Sequence, residues 1–312
     1  LASLGLFGPV YAQTNDFPKR AVTLVIPQGP GSGSDMVGRM LAEFMAPKLG
    51  QTVIVENRPG AGGVIAHQSV KREAADGYTV LFSSTAQLLI VPILNPAANY
   101  TLKDFTPVAP LMWAPFAVLV ANTPDAPNSI QELVDIIRSR PTAYSSSGIG
   151  NMTHLGSESF LRRAGVQSTH VPYQGSGASL TDLMGGQVLF SVDSLTASMT
   201  HIKSGKLKAL AVTGEAREAS LPDVPTLNEA GLAGPPIGVL GGLFAPAGVP
   251  DQAIGKIKAS VEDALNNPRL LERFAATETA VLKLSNDEFL AKLREQAPYW
   301  EGLVSELDLQ IK

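Results

Sequence analysis

The chain has 312 residues, 45% hydrophobic and 17% charged, with no cysteine, which is enough for about two domains that each bury a core without disulfide or thiolate-metal staples. A net charge of -4 and a pI near 5.6 give no reason to expect nucleic acid or anionic lipid as a partner. An anionic ligand would have to be captured by local groups.

The first residues, LASLGLFGPVYAQ, read as the remnant of an export signal over residues 1–12: an apolar stretch, helix-breaking Gly8 and Pro9, then Val10-Tyr11-Ala12 as a small-x-small cleavage site before Gln13. The stretch is far short of the roughly 20 apolar residues of a spanning helix, so the expectation is an exported, periplasmic protein. From Val22 onward short β-branched runs alternate with amphipathic stretches, the pattern of parallel strands with crossover helices. Val22 to Ile26, Thr52 to Val55 and Tyr78 to Phe82 read as strands, with a helix over Ser34 to Leu49 and another after Gly60 to Gly63. Pro92 to Pro115 holds five prolines without a clean period and reads as connector. A second βα series follows, with strands at Phe116 to Val120, Ala143 to Ser146, Thr169 to Val171, Val188 to Val192 and Leu207 to Val212. Its helices run from Asn128 or Ser129 to Arg138, Met152 to Ala164, Ser179 to Met184 and Ala197 to Ser204. Two amphipathic helices close the chain, one carrying Ile254, Ile257, Val261 and Leu265, the other from Asn286 to about Leu307.

The strands Ala117 to Ala121 and Leu210 to Val212 bracket the middle series and are read as crossovers. The expected organisation is a discontinuous first lobe, residues 13–121 plus 221–312, with a second lobe, residues 122–220, inserted between. Ligands of open α/β sheets bind beyond the carboxyl ends of the strands, which directs attention to four loops. PQGPGSGSD, Pro27 to Asp35, joins a strand to a helix; Gly31, Ser32, Gly33 and Ser34 let backbone amides at a helix N-terminus approach an anion, with Ser34 or Asp35 as cap. The same turn is close to a dinucleotide fingerprint ending in Glu56, but Ser34 stands where the third glycine belongs, Pro30 interrupts the turn, and Asp35 would oppose a pyrophosphate. SSSGIGNMTH, Ser145 to His154, repeats the device in the second lobe, with Ser147, Gly148, Asn151, Thr153 and His154 as candidate contacts. VPYQGSGAS, Val171 to Ser179, adds Tyr173, and Ser83, Ser84 and Thr85 complete the ring. Asp193, after its strand, is placed either to bind an amine or water or to cap the next helix.

Catalysis is disfavoured: there is no G-x-S-x-G elbow and no thiol, so no catalytic residue is assigned. His67, His154, His170 and His201 lack metal-ligand spacing, so neither metal nor cofactor is expected.

Several segments carry a family likeness: VENRPGAGG at Val55 to Gly63, DGYT at Asp76 to Thr79, HVPYQGSG at His170 to Gly177, DLMGGQV at Asp182 to Val188, HIKSGKLKALAVT at His201 to Thr213, LPDVPT at Leu221 to Thr226 and APAGVP at Ala245 to Pro250. From about Phe17 to the end the chain resembles the tripartite tricarboxylate transporter receptors, also called Bug or TctC proteins. The resemblance implies a two-lobed periplasmic-binding-protein fold of type II, the Venus flytrap with two crossover strands. It also implies a receptor that passes a small carboxylate to a small and a large membrane subunit; the chain is expected to be a monomer. By the same resemblance the carboxylate is held by Gln28 to Asp35, Ser83 to Thr85, Ser147 to His154 and Tyr173 to Ala178, including Gly175, Ser176 and Ala178. Gln28 stands where relatives commonly carry Phe, and Leu240 where many carry Trp. Both alter the pocket wall, so aliphatic and aromatic acids, terephthalate among them, remain open. A sensor presenting its ligand to a membrane histidine kinase is the alternative function.

Overall fold

A computed structural model describes residues 17–307; the export-signal reading at residues 1–12 lies outside them. The first βα units form as their patterns dictate. Strand β1 (Val22–Ile26) leads into α1 (Gly33–Leu49), β2 (Val53–Asn57) into α2 (Val64–Lys71), and β3 (Thr79–Ser84) into a π-helical turn, Ala86–Ile90, and α3 (Val91–Leu94). Helix α1 starts one residue earlier than its pattern suggested. Its cap is Ser32, whose hydroxyl oxygen accepts from the Asp35 N–H, because the Asp35 carboxylate is drawn into other bonds.

The proline-rich stretch is connector only in its first half, where two short turns, Pro96–Ala98 and Leu102–Asp104, follow α3; its second half is strand. Residues Phe105–Ala121 form one 17-residue strand, β4. Its partner β9 (Gly238–Pro246), which the sequence reading did not anticipate, pairs antiparallel with Phe105 to Pro115. Proline lacks a ladder N–H and survives in a strand where pairing is broken; here the register shifts between Pro107 and Ala109 and between Pro110 and Met112. The apolar alternation is thereby hidden in the sequence while the strand persists in space.

The second series contributes α4 (Ile130–Ser139), β5 (Ala143–Ser146), α5 (Met152–Ala164), β6 (Thr169–Pro172), α6 (Ser176–Met184), β7 (Phe190–Ser194), α7 (Leu195–Lys203) and β8 (Leu207–Val212). The chain ends with α8 (Asp251–Leu265), α9 (Pro268–Ala276), the short β10 (Ala280–Val281) and α10 (Asn286–Glu306). Strand order is β2-β1-β3-β9-β4-β7-β5-β6, with β8 and β10 also on β4. The first half of β4 belongs to one sheet and the second half to another.

Strand directions fix where ligand loops lie. In lobe 1, β1, β2 and β3 are mutually parallel, β9 opposes β3, and β4 opposes β9, so β4 runs with β1 to β3. In lobe 2, β5, β6 and β7 are parallel to one another and β7 opposes β4. The carboxyl ends of the lobe 1 strands therefore point toward lobe 2, and those of lobe 2 point back. Both sets of strand-to-helix loops meet in the gap between.

Each sheet is covered on both faces. Leu24, Ile26, Leu41, Phe82, Ile257 and Phe274 pack on one side of lobe 1, and Val25, Leu81, Phe244 and Phe289 on the other. In lobe 2, Tyr144, Phe160, Phe190 and Val192 pack on one side, and Leu180, Leu183, Met199 and Leu207 on the other. Two strand paths join the lobes. One is β4. The other is β8 followed by β9: Val212 faces Ala117 and Gly238 faces Pro115, so β9 takes up β4 where β8 leaves it. Thr213 pins this joint. Its N–H donates to Phe116 O, its hydroxyl oxygen accepts the Phe116 N–H at 3.0 Å, and its carbonyl accepts the Ile237 N–H.

Candidate ligand-binding site

In lobe 1 the loop after β1 exposes Gln28, Gly31 and Gly33, with Ser32 and Ser34 half-buried. Gly31 sits at φ 80°, a left-handed conformation that favours glycine. Asp35 is 3% exposed and does not face open solvent. Its carboxylate accepts from the Gly31 N–H at 2.8 Å, Arg39 Nε at 3.1 Å and Asn57 Nδ2 at 2.9 Å. Burial alone would raise its pKa, but these donors outweigh burial and hold it low. Asp35 thus braces the loop from beneath. Arg39 and Asn57, whose Nδ2 also reaches Gln28 O, were not predicted; the partners of Asn57 are 18 to 29 residues away in sequence.

Ser83, Ser84 and Thr85 lie at the end of β3 with 0%, 7% and 1% exposure. Ser83 Oγ is 2.7 Å from His67 Nε2, while His67 Nδ1 is 2.8 Å from Gly63 O. The carbonyl requires a proton on Nδ1, so Nε2 accepts the Ser83 hydroxyl. Burial pushes His67 down to about 4, keeping it neutral. Ser84 donates to Gln87 Oε1 and Thr85 to Leu240 O. The hydroxyl protons of this turn are therefore engaged within the protein.

Lobe 2 presents a cavity of about 490 Å³ between its two glycine-rich loops, lined by Ser147, Gly148, Ile149, Pro172, Tyr173, Gln174 and Gly175. Ile149, Pro172 and Gln174 lie within the loops read from the sequence but were not singled out there as contacts. Under the cavity, Asn151 Nδ2 donates to Ser147 Oγ at 2.8 Å, Ser147 Oγ lies 2.9 Å from Thr153 Oγ1, and Thr153 Oγ1 donates to Asn151 Oδ1 at 2.6 Å. These bonds close a ring that also caps α5, since Asn151 Oδ1 accepts from the Thr153 and His154 N–H groups. Gly148 at φ 140° and Gly150 at φ 75° allow the turn.

His154 is 3% exposed and lies behind this loop. Its Nδ1 accepts the Gly150 N–H at 3.0 Å, and its ring stacks on His170 at 3.8 Å. His170 Nε2 bonds Ser146 Oγ at 2.7 Å. Burial, with the neighbouring His170, pushes His154 down to about 3, and burial pushes His170 down to about 4. Both rings are neutral supports. Tyr173 is half-buried and its hydroxyl donates to Asp182 at 2.7 Å, leaving its ring to the cavity wall. Gly175 (φ 120°), Ser176 and exposed Ala178 open α6. Ser176 Oγ donates to Asp193 at 2.8 Å. Asp193 is fully buried, one oxygen also accepting the Ser194 N–H while Oδ2 has no partner, and burial raises its pKa to about 6. A second hollow of about 620 Å³, beside Arg39, Glu43, Gly50 and Gln51, opens at the far end of the strands, away from the strand-to-helix loops.

The accessible groups are thus backbone amides and side-chain edges of two facing loop sets, and no activated nucleophile stands among them. Two α/β lobes joined by two crossover strands define a periplasmic-binding-protein fold of type II, a receptor architecture. The family model described as tripartite tricarboxylate transporter family receptor matches residues 37–309, and the chain belongs to that family of binding receptors, which are not enzymes. It is 34% identical to Protein BugT of Bordetella pertussis over 320 residues, covering 100% of this chain and 96% of that protein. Among solved structures, R. palustris Rpa4515 with adipate superposes with a TM-score of 0.83 at 29% identity, covering 93% of this chain and 98% of that one. MatC from Rhodopseudomonas palustris with bound malate gives a TM-score of 0.80 at 32% identity, covering 92% of this chain and 100% of that one. Among the described residues no helix is long and apolar enough to cross a membrane.

Proposed function

We propose that this chain captures a small mono- or dicarboxylate by closing its lobes and delivers it in the periplasm to the membrane subunits of a tripartite tricarboxylate-type transporter. In this reading it acts as a monomer, with lobe 1 taking residues 13–121 and 221–312 and lobe 2 residues 122–220. The observation that carries it is the cavity between Ser147 to Ile149 and Pro172 to Gly175, beside the N-termini of two helices. Hydrogen bonds to a charged group contribute roughly 1.5 to 3 kcal/mol each, so four or five amide donors approach the roughly 8 kcal/mol of micromolar binding. An arginine is not required. The adipate and malate held by two relatives support a carboxylate as the ligand class.

A thermal-shift screen of the chain against aliphatic mono-, di- and tricarboxylates, terephthalate, nicotinate and amino acids tests the reading. A ligand at a hundredfold excess over Kd adds about 2.7 kcal/mol to the native state, a shift of several degrees. Stabilisation by one carboxylate class is the expected result. No shift with any carboxylate would reject it, and capture of a membrane kinase in place of transporter subunits would favour the sensor.

A further inference from the structure

Helix α9 ends on a residue that its backbone disfavours. The Thr279 N–H reaches Phe274 O and the Glu278 N–H reaches Ala275 O, both at 3.0 Å, the paired bonds of a helix end that holds one residue, most often glycine, in the left-handed region. That residue is Glu278, at φ 52°. Helices α1 and α5 end on left-handed glycines, Gly50 at φ 68° and Gly165 at φ 62°. A glutamate in this conformation is strained, and such strain directs attention to what its side chain does.

The Glu278 side chain meets the other lobe. Thr277 and Glu278 belong to lobe 1, since Leu270 and Phe274 of α9 pack in its core, while α7 belongs to lobe 2, where Leu195 and Met199 are buried. Thr196 and Lys203 are seven residues apart and share one face of α7. Thr196 Oγ1 donates to Thr277 O at 2.8 Å, and Lys203 Nζ lies 3.6 Å from Glu278 Oε1. Lys203 is exposed, but the Glu278 side chain is 14% exposed, which shields that end of the pair from full solvent screening. Burial, with the Glu278 charge, raises the pKa of Glu218 on the segment after β8, so a second carboxylate faces Glu278 and Lys203 supplies the opposite charge.

Position gives the two contacts different parts. Ser194, just before Thr196, pairs with Phe116, and Ala280, just after Thr277, pairs with Trp113. The hydroxyl bond therefore sits beside the point where β4 passes from one sheet to the other. Lys203 lies about 10 Å farther along α7 at 1.5 Å per residue, so a rotation about the joint displaces it more than Thr196.

We propose that Thr196 and Lys203, held against Thr277 and Glu278, form a latch beside the hinge that sets the resting angle between the lobes. The hydroxyl bond is the pivot contact, and the ion pair is the contact that parts as the lobes rotate. Capture by lobe closure, as proposed above, draws on the same equilibrium, so the latch tunes affinity without touching the ligand.

The chain has no cysteine, so a donor and acceptor dye on Arg72→Cys and Gln131→Cys, exposed positions of lobe 1 and lobe 2, report lobe separation by single-molecule energy transfer with no ligand added. Variants are compared in this background at about 10 mM and about 0.5 M salt. At low salt, Lys203→Met and Glu278→Gly are expected to shift the ratio of lobe separations by about two- to fivefold. The wild-type ratio should approach theirs at high salt, and Lys203→Glu combined with Glu278→Lys should restore it at low salt. Glu278→Gly is expected to melt no earlier than the wild type, since relief of left-handed strain offsets the added freedom of glycine in the unfolded chain. A lower melting temperature with unchanged separations would make Glu278 a plain helix cap and reject the latch. Separations unchanged in both single variants, or changed in both and not restored by the exchange, would reject it as well. None of these results bears on which solute the cleft binds.

Discussion

His67, His154 and His170 each sit below the ordinary imidazole range, at about 4, 3 and 4, because burial disfavours the charged ring. An unfolded chain protonates them near 6.5. Their folded values lie below the unfolded one, so the stability they contribute is complete above pH 6.5 and is lost as pH falls toward 4. For His67 alone, a displacement of this size corresponds to about 3 kcal/mol. Asp193 acts with the opposite sign: its folded value, raised by burial to about 6, makes it a cost that grows as pH rises through 6. The histidines dominate between pH 6.5 and 4.5, so urea midpoints are expected to fall across that window. In His154→Gln, whose amide oxygen still accepts from Gly150, the fall should be shallower. A midpoint that stays level from pH 6.5 to 4.5 in the wild type would mean that these rings titrate normally. Ser147, Asn151 and Thr153 were legible as a polar cluster because they are close in sequence. Their closure into a ring was not, since it depends on which proton each hydroxyl gives.

At the scale of elements, the βα units were readable because local periodicity and capping agree with the final packing. Ser129 and Ser285 cap their helices through the N–H groups of Glu132 and Glu288, as the cap-and-acid spacing implies. The central strands were not readable in the same way. In β4 Pro107 and Pro110 fall at register shifts, and in β9 glycines stand where neighbours crowd: a Cβ on Gly238 would lie 2.5 Å from Ala114 O, and one on Gly242 2.9 Å from Ala109 O. Those residues look like loop in a sequence because their reason is a tertiary contact. The joint at Thr213 follows the same logic. Thr213 is 2% exposed, and its hydroxyl serves Phe116 N–H together with the carbonyls of Phe116 and Ile237. Thr213→Val keeps the shape and orphans a buried N–H, which costs about 1 to 3 kcal/mol. Equilibrium urea unfolding should show that loss with an unchanged slope. A loss under about 0.5 kcal/mol would show that the backbone bonds hold the joint unaided.

At the scale of the whole molecule, the two crossovers are not the only link between the lobes. Helix α10 carries Phe289 and Leu293 in a lobe 1 core and Trp300, Leu303 and Val304 in the lobe 2 core, and its second half is held by Tyr299 to Ser159 at 2.6 Å and by Arg162 to Glu306 at 2.7 Å. The sequence showed its amphipathic stripe but not that the stripe divides between two cores. A helix anchored at both ends must bend if the lobes close. Pro298 lies between the anchors, where the missing N–H leaves the carbonyl four residues back without its helical partner and makes that turn the compliant one. Pro298→Ala restores the bond and stiffens the helix. Unliganded stability is expected to rise by about 1 kcal/mol, while carboxylate affinity falls severalfold because closure then works against a stiffer strap. Calorimetric unfolding and ligand titration of the same variant separate the two effects. If stability and affinity rise together, α10 follows one lobe passively, and closure rests on the two strand paths alone.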